Sequence, residues 1–331
     1  MSLKWQIIIF SQLMSIIVAT RQHCNAGPYV WDRNGHGEEG IGSTFQHRKQ
    51  SLILADALRA PWVGTLVNSH DHAPRPNNAE WFGLGDNDCN ETMLMHYKRN
   101  STMQFVNAST LYRHHEFDID QLCTGRPINN RNIFDKNTVI EVNEHPLHQD
   151  WNYCTFNERF RLRFQKVQVH QYGRQQRPES EFWIAVHFRW GDLQNEFSLG
   201  RFTPRKNDVE HPDFRAGRGL STLAHDAMEY LKVNPGARVF LISEGERDEF
   251  QAFRTIIPTT EFMLNETWRD ALWTISQSNV AIGGISSFFA VGAHLCNKCT
   301  VVTITNNTKF KPHMEEQRSH QTHFDMEWLK T

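Results

Sequence analysis

Ile184-Ala185-Val186-His187-Phe188-Arg189-Trp190-Gly191-Asp192 reads as a buried β-strand whose carboxyl end opens into a cluster of ionic and small residues. A continuous apolar run of this length suits a strand covered on both faces of a parallel sheet. In an open α/β sheet ligands lie just beyond the carboxyl ends of the strands, so His187, Arg189 and Asp192 converge on one charged ligand. Arg189 is central to this reading, because its permanently charged, forked guanidinium suits a bidentate grip on phosphate. Gly191 lets the backbone come close, and Asp192 either orients the fork or accepts a proton. Taken alone, these residues also fit a strand that ends in a surface salt bridge.

The flanking sequence carries the same rhythm. Apolar β-like runs at 184–188, 238–242, 279–282 and 300–305 alternate with helical patterns at 222–232 (capped by Ser221), 246–256, 267–276 and 288–296. Strand alternating with helix predicts an α/β fold with a parallel wound sheet of Rossmann type over the C-terminal half. In the N-terminal half Gly35, Gly37, Gly40 and Gly42 punctuate a loop, Ser43-Thr44 begins a helical pattern, and 62–67 follows as a strand. Residues 70–135 are rich in Asn, His and Pro and predict excursions with short elements. The polar stretch 171–180, with Gly173 and Pro178, suits a domain boundary. These features predict a domain at 30–170, a second at 180–310, and a polar tail at 311–331.

The 331 residues are 39% hydrophobic, enough for a substantial core, and 35 basic against 37 acidic residues leave a formal charge of -2. Such a balance gives no global attraction to nucleic acid or to an anionic membrane, so anion binding must be local. Residues 1–22 hold an uncharged apolar stretch that predicts a signal peptide or a short signal-anchor, with membrane contact only through this segment if uncleaved. Six cysteines (Cys24, Cys89, Cys123, Cys154, Cys296 and Cys299) and five Asn-x-Ser/Thr glycosylation signals, at Asn90, Asn100, Asn107, Asn265 and Asn306, agree on the secretory pathway (the lumen of the Golgi or endoplasmic reticulum) or secretion. For Cys296 and Cys299 a structural disulfide near a helix end is expected, ahead of a redox or zinc site.

Two further segments support the opening motif. The strand Val239-Phe240-Leu241-Ile242 ends in Ser243-Glu244, which line the site. Asp270-Ala271-Leu272-Trp273-Thr274-Ile275-Ser276 leads to Asn279-Val280-Ala281-Ile282-Gly283-Gly284-Ile285-Ser286-Ser287-Phe288-Phe289, where glycines permit close backbone approach and the serines start a helix. Exposed amides, hydroxyls and the positive helix end suit a pyrophosphate there. Gly40-Ile41-Gly42-Ser43-Thr44-Phe45-Gln46 is a glycine-rich loop before a helix.

His-x-Arg-x-Gly-Asp at 187–192, followed in order by the Ser243-Glu244 strand end and the 279–289 segment, resembles the GDP-fucose-dependent fucosyltransferase superfamily, which includes α1,2-, α1,6- and protein O-fucosyltransferases. The Gly40–Gly42 loop is similar to that family's glycine-rich loop, except that Ser43-Thr44 stands where Asn-Gln is commoner. The resemblance implies a GT-B-like architecture of two facing Rossmann-like domains, the donor being held mainly by the C-terminal one. It implies inverting, metal-independent transfer of fucose to a glycan or glycoprotein acceptor, with GDP-fucose as donor substrate and no further cofactor. Donor-side residues are then His187, Arg189, Gly191, Ser243, Glu244, Asp270, Ser286, Ser287, Phe288, Gly40 and Gly42. Arg189 neutralises the departing diphosphate, and Asp192 or Glu196 is the general base. Two other readings stay open: a secreted sugar-nucleotide- or glycan-binding protein of the same fold without transfer, and a metal-dependent hydrolase built on His70, His72, His114 and His115.

Overall fold

The computed structural model describes residues 28–33, 40–66, 78–84, 89, 91–113, 134, 137–143, 158–190, 219–284, 286–296 and 299–303. The chain forms two compact units, Met1–Glu38 with His47–Cys154 and Glu39–Gln46 with Thr155–Thr331. The division between Cys154 and Thr155 falls ahead of the polar stretch 171–180, and the short piece Glu39–Gln46 counts with the C-terminal unit.

In the first unit β1 (Tyr29–Asp32), β2 (Trp62–Val63), β3 (Gln104–Asn107) and β4 (Thr138–Val142) form a parallel sheet in the order β2-β1-β4-β3. Helix α1 (Ile41–Leu58) precedes β2, while α2 (Glu91–Arg99) and α3 (Ala108–Arg113) flank β3. Two carboxylates in this sheet are paired. Arg48 Nη1 donates to Asp32 Oδ1 at 2.6 Å, and the Ser51 hydroxyl donates to the other oxygen while accepting from Trp62 Nε1 at 2.9 Å. Lys98 Nζ lies 2.6 and 2.7 Å from the two oxygens of Glu141. Such pairing is what permits a buried carboxylate. Burial pushes the Lys49 ammonium, on α1, down to about 7.

The second unit holds β5 (Trp183–His187), β6 (Arg238–Ser243), β7 (Glu261–Leu264), β8 (Val280–Gly283) and β9 (Thr300–Thr303), all parallel, in the order β7-β6-β5-β8-β9. Its helices are α4 (Glu158–His170), α5 (Leu220–Val233), α6 (Gln251–Ile256), α7 (Trp268–Gln277) and α8 (Ser287–Leu295). The chain builds outward from β5 in one direction, through β6 to β7, and then returns to place β8 on its other side. Strand order therefore reverses between β5 and β8, the point at which doubly wound sheets bind ligands.

Side-chain alternation along β5 sorts the core into two layers. Ile184, Val186 and Phe188 pack with Leu220, Leu223 and Ala224 of α5 and with Phe250 and Phe253 around α6. Ala185 packs on the opposite face with Ala271 and Ile275 of α7 and Phe289 and Ala293 of α8. Cys296 and Cys299 close this second layer as a disulfide with a Cα separation of 5.9 Å, at the end of α8 as expected.

Several expected boundaries move. Strand β7 is additional: Glu-Phe-Met-Leu is half-buried at a sheet edge and has no alternation to betray it. Strands β1 and β4 and helix α4 are also additional to the sequence reading. Helix α1 begins at Ile41 rather than Ser43, with the Thr44 amide donating to the Gly40 carbonyl at 3.0 Å, which places Gly42 inside the first turn. Gly219, not Ser221, is the N-cap of α5. The expected helix at 246–256 is a 3-10 turn, Arg247–Phe250, followed by α6, and among the described residues of the strand expected at 62–67, Trp62–Val63 form β2.

The contact between α7 and α8 depends on a glycine. A Cβ at Gly292 would lie 2.7 Å from Ile275 Cγ2 and 2.9 Å from Ile275 Cβ. Gly292→Ala should cost about 1–3 kcal/mol of overpacking, more than the roughly 0.5–1 kcal/mol that alanine's helix preference returns. A lower urea midpoint with an unchanged slope is the expected measurement.

Candidate functional site

The C-terminal edge of the second sheet carries His187, Arg189, Ser243, Glu244, Ser286 and Ser287, and this placement follows from topology. In a parallel sheet all strands leave at one edge, and each helix that leads back to the next strand starts there. Only residues 234–237 separate the end of α5 from the start of β6, so α5 too starts at this edge.

Two backbone bonds fix the exit of β5. The Phe188 amide donates to the Ile242 carbonyl at 3.0 Å, and the Ser243 hydroxyl donates to the Phe188 carbonyl at 2.7 Å. Ser243 is therefore a fastener of the strand end, its hydroxyl hydrogen directed into the protein. Phe188 and Trp190 stack with ring centroids 5.8 Å apart, on the face that carries Phe250. Alternation assigns His187 and the half-buried Arg189 to the other face, where α8 begins. His187 is buried there against Phe288 and Phe289, at centroid distances of 5.5 and 6.0 Å. A stacked imidazole at this position sets the shape of the strand end.

Beyond β8 the chain passes Gly283 and Gly284 into α8. Gly283 leaves room for Phe289, since a Cβ there would fall 2.7 Å from the ring. Ser286 is the N-cap, its hydroxyl accepting from the Phe289 amide at 3.4 Å, whereas Ser287 is exposed. Gly42 rests directly on this helix start: a Cβ at Gly42 would lie 2.5 Å from the Phe288 nitrogen, 2.6 Å from its Cα and 2.9 Å from the Ser287 carbonyl carbon. Backbone touches backbone, so two helix N-termini meet within the second unit.

Each helix N-terminus carries about half a positive charge. The first turns of α1, α5 and α8 contain no acidic residue to offset it. By contrast, the 3-10 turn after β6 has Asp248 and Glu249, and α7 after β7 has Asp270. Among the described residues, helix starts without a first-turn acid are thus grouped where β5 and β8 end, the edge at which Arg189 leaves the sheet, and such a grouping suits an anion with more than one charged oxygen.

Asp270 lies in the first turn of α7, after the edge strand β7, and Glu244 directly follows Ser243. The Asp270 carboxylate accepts from Arg174 Nη1 at 2.7 Å and from the Thr267 hydroxyl, and Thr267 Oγ1 accepts from the Asp270 amide at 3.2 Å as the cap of α7. Partial burial pushes its pKa up, but the Thr267 and Arg174 bonds outweigh that and hold it below the usual carboxylate value. Glu244 is exposed. Asn265, read from sequence as a glycosylation signal, clasps the Gly245 backbone: Oδ1 accepts from its amide at 3.0 Å and Nδ2 donates to its carbonyl at 3.1 Å. Asn107 Oδ1 accepts from the amide and hydroxyl of Ser109, while Asn100 is exposed with its side chain 2.9 Å from His96 Nε2. Gly191, Asp192, Glu196, His70, His72, His114, His115, Asn90 and Asn306 lie outside the described residues.

No family model matches the chain, and no curated protein matches it. Among solved structures, POFUT1 in complex with GDP-fucose aligns with a TM-score of 0.43 and 9% identity, covering 83% of this chain and 95% of that one. POFUT1 in complex with GDP gives 0.40 and 10%, covering 82% and 95%. A glycosyl transferase of family 9 from Veillonella parvula DSM 2008 gives 0.32 and 11%, covering 85% and 82%. At these values the likeness assigns no residue a role.

The Asp270 contacts have a pH signature. A carboxylate held below its unfolded pKa of about 3.9 contributes stability above that pH and loses it as pH falls through the folded value. Asp270→Asn should therefore lower stability at pH 7, by less than about 1 kcal/mol because the pair is partly exposed, and the difference from wild type should shrink below about pH 4. Urea unfolding at the two pH values measures both.

Proposed function

We propose that the chain is a glycosyltransferase of the secretory pathway that transfers fucose from GDP-fucose to a glycan or glycoprotein hydroxyl, with inversion and without a metal ion, on a GT-B-like scaffold. The observation that carries this reading is the grouping of helix N-termini without first-turn acids at the reversal of strand order. There Arg189 emerges from β5, and the first turns of α1 and α8 abut at Gly42 and Phe288. The motif order from His187 through Ser243-Glu244 to Ser286-Ser287 supports GDP-fucose as the donor.

In this reading the acceptor oxygen attacks the anomeric carbon of the fucose from the face opposite the diphosphate. The bond from that carbon to the β-phosphate oxygen breaks, GDP leaves with the electron pair, and the acceptor proton passes to Asp192 or Glu196. Charge separates as an oxocarbenium-like sugar forms next to a growing phosphate anion, so fixed positive groups at the phosphate lower the barrier most. Arg189 is the full charge among them. The α8 amides and the Ser287 hydroxyl supply the rest. Pre-set donors also spare reorganisation during reaction, which the fastening of Phe188 by Ser243 provides.

Arg189→Lys keeps a charge but loses the fork. Turnover of GDP-fucose by the purified, folded protein should fall about 10²–10³-fold, and near-normal activity would remove Arg189 from the mechanism. A donor panel run in EDTA and read as nucleotide release should favour GDP-fucose. Preference for a UDP-sugar overturns the donor, loss of activity to the chelator favours the histidine-based hydrolase, and GDP-fucose binding without turnover favours a binding protein.

A further inference from the structure

Arg189 sits between two residues that are each fastened. Phe188 is held through its backbone by Ile242 and Ser243. Trp190 is held through its side chain, because the indole Nε1 donates to Glu249 Oε1 at 3.0 Å. The other oxygen of the same carboxylate, Oε2, accepts from the Glu246 amide at 2.6 Å, half of a reciprocal cap that closes the 3-10 turn after β6. Gly245 lies against both partners, with a φ of +119°, and a Cβ there would fall 2.6 Å from Glu249 Oε2 and 2.9 Å from Trp190 Cδ1. Asn265 clasps the backbone of that same glycine from the far side.

We infer that Glu249 is a positioning residue for Arg189: one carboxylate ties the residue after the arginine to the turn after β6, and so sets the direction in which the guanidinium leaves the strand. The inference rests on the donor reading above and deepens it. Its physical basis is that a carboxylate has two acceptor edges, and here each serves a donor on a different segment. Glutamine keeps only one oxygen, so it satisfies either the indole or the Glu246 amide and turns its own N–H₂ toward the other. Alanine satisfies neither. Because Trp190 packs on Phe188 with an interplanar angle of 25°, a displaced indole also carries the neighbouring backbone with it.

The test uses the full-length protein and three forms, wild type, Glu249→Gln and Glu249→Ala. With GDP-fucose as donor, Glu249→Ala should lower kcat about 10- to 100-fold, the scale of a misplaced catalytic group. GDP affinity, measured by calorimetry on the same folded sample, should change less than about threefold, since a misaimed charge is felt mainly in the transition state. Glu249→Gln should fall between the two. The indole ¹⁵N–¹H resonance of Trp190, identified by its disappearance in Trp190→Phe, should move in both Glu249 variants whether or not the protein turns over. A wild-type kcat in Glu249→Ala, or equal losses of kcat and GDP affinity, overturns the positioning role while leaving the donor reading intact. Wild-type protein that neither binds GDP nor turns over GDP-fucose overturns the donor reading instead, and the Trp190 resonance then reports the clasp alone.

Discussion

The contact of Gly42 with the first turn of α8 is the constraint on which the rest of the site depends. A side chain as small as alanine's has no room, with the Phe288 nitrogen 2.5 Å from where its Cβ would stand. What glycine permits here is approach. Two helices that begin against each other bring two ends of like partial charge together, an arrangement that costs electrostatic energy unless something negative shares the space. The second unit supplies no acidic residue from either first turn. The proposed diphosphate site draws on this grouping of positive ends.

The junction would hold little without a rigid strand end beside it. Strand β5 is the middle strand of five, bonded on both sides, and its exit is fastened to β6 through the Ser243 hydroxyl. This gives a serine that sequence placed in the site a different task from touching a ligand. Preorganisation makes the two tasks related: a guanidinium whose backbone is fixed loses less freedom when its ligand arrives. His187 fits the same description, since its ring is buried between β5 and the aromatic start of α8.

How much of this could be read beforehand depended on burial. Strands β5, β6, β8 and β9 are apolar because they are covered on both faces, and each was legible as a continuous run. Strand β7 was not, since its four residues begin with Glu261 and are all only half-buried, which leaves neither an apolar run nor an alternation. Without β7 the reversal of strand order between β5 and β8 has no sequence signature, although it locates the site. Capping shows the same division. Ser286 caps α8 where sequence placed a helix start, and Thr267, read as the first residue of a helix, is the cap of α7, because each hydroxyl is followed three residues on by an amide it can reach. Ser221 satisfied the same rule and lies inside α5, since Gly219 supplies the extended backbone that starts that helix. Asn265 was legible only as a glycosylation signal; its role as a clasp needs the turn at Gly245 to be known first.

The two edges of the second sheet finally show why the positive centre is not an accident of helix placement. At the amino-terminal edge the charges are matched within the protein. Arg238 forks onto Glu261 at 2.7 Å through two nitrogens and reaches Glu181 at 3.1 Å, bonds that raise the guanidinium's pKa, while the Trp183 indole first and Arg238 second lower that of Glu181. At the carboxyl-terminal edge the flanking helices after β6 and β7 also carry their own acids. The first turns of α1, α5 and α8 hold none. Among the described residues, the helices that start around β5 and β8 thus add their positive ends to one edge without a first-turn acid, and Arg189 leaves β5 at that edge with both its neighbours fastened.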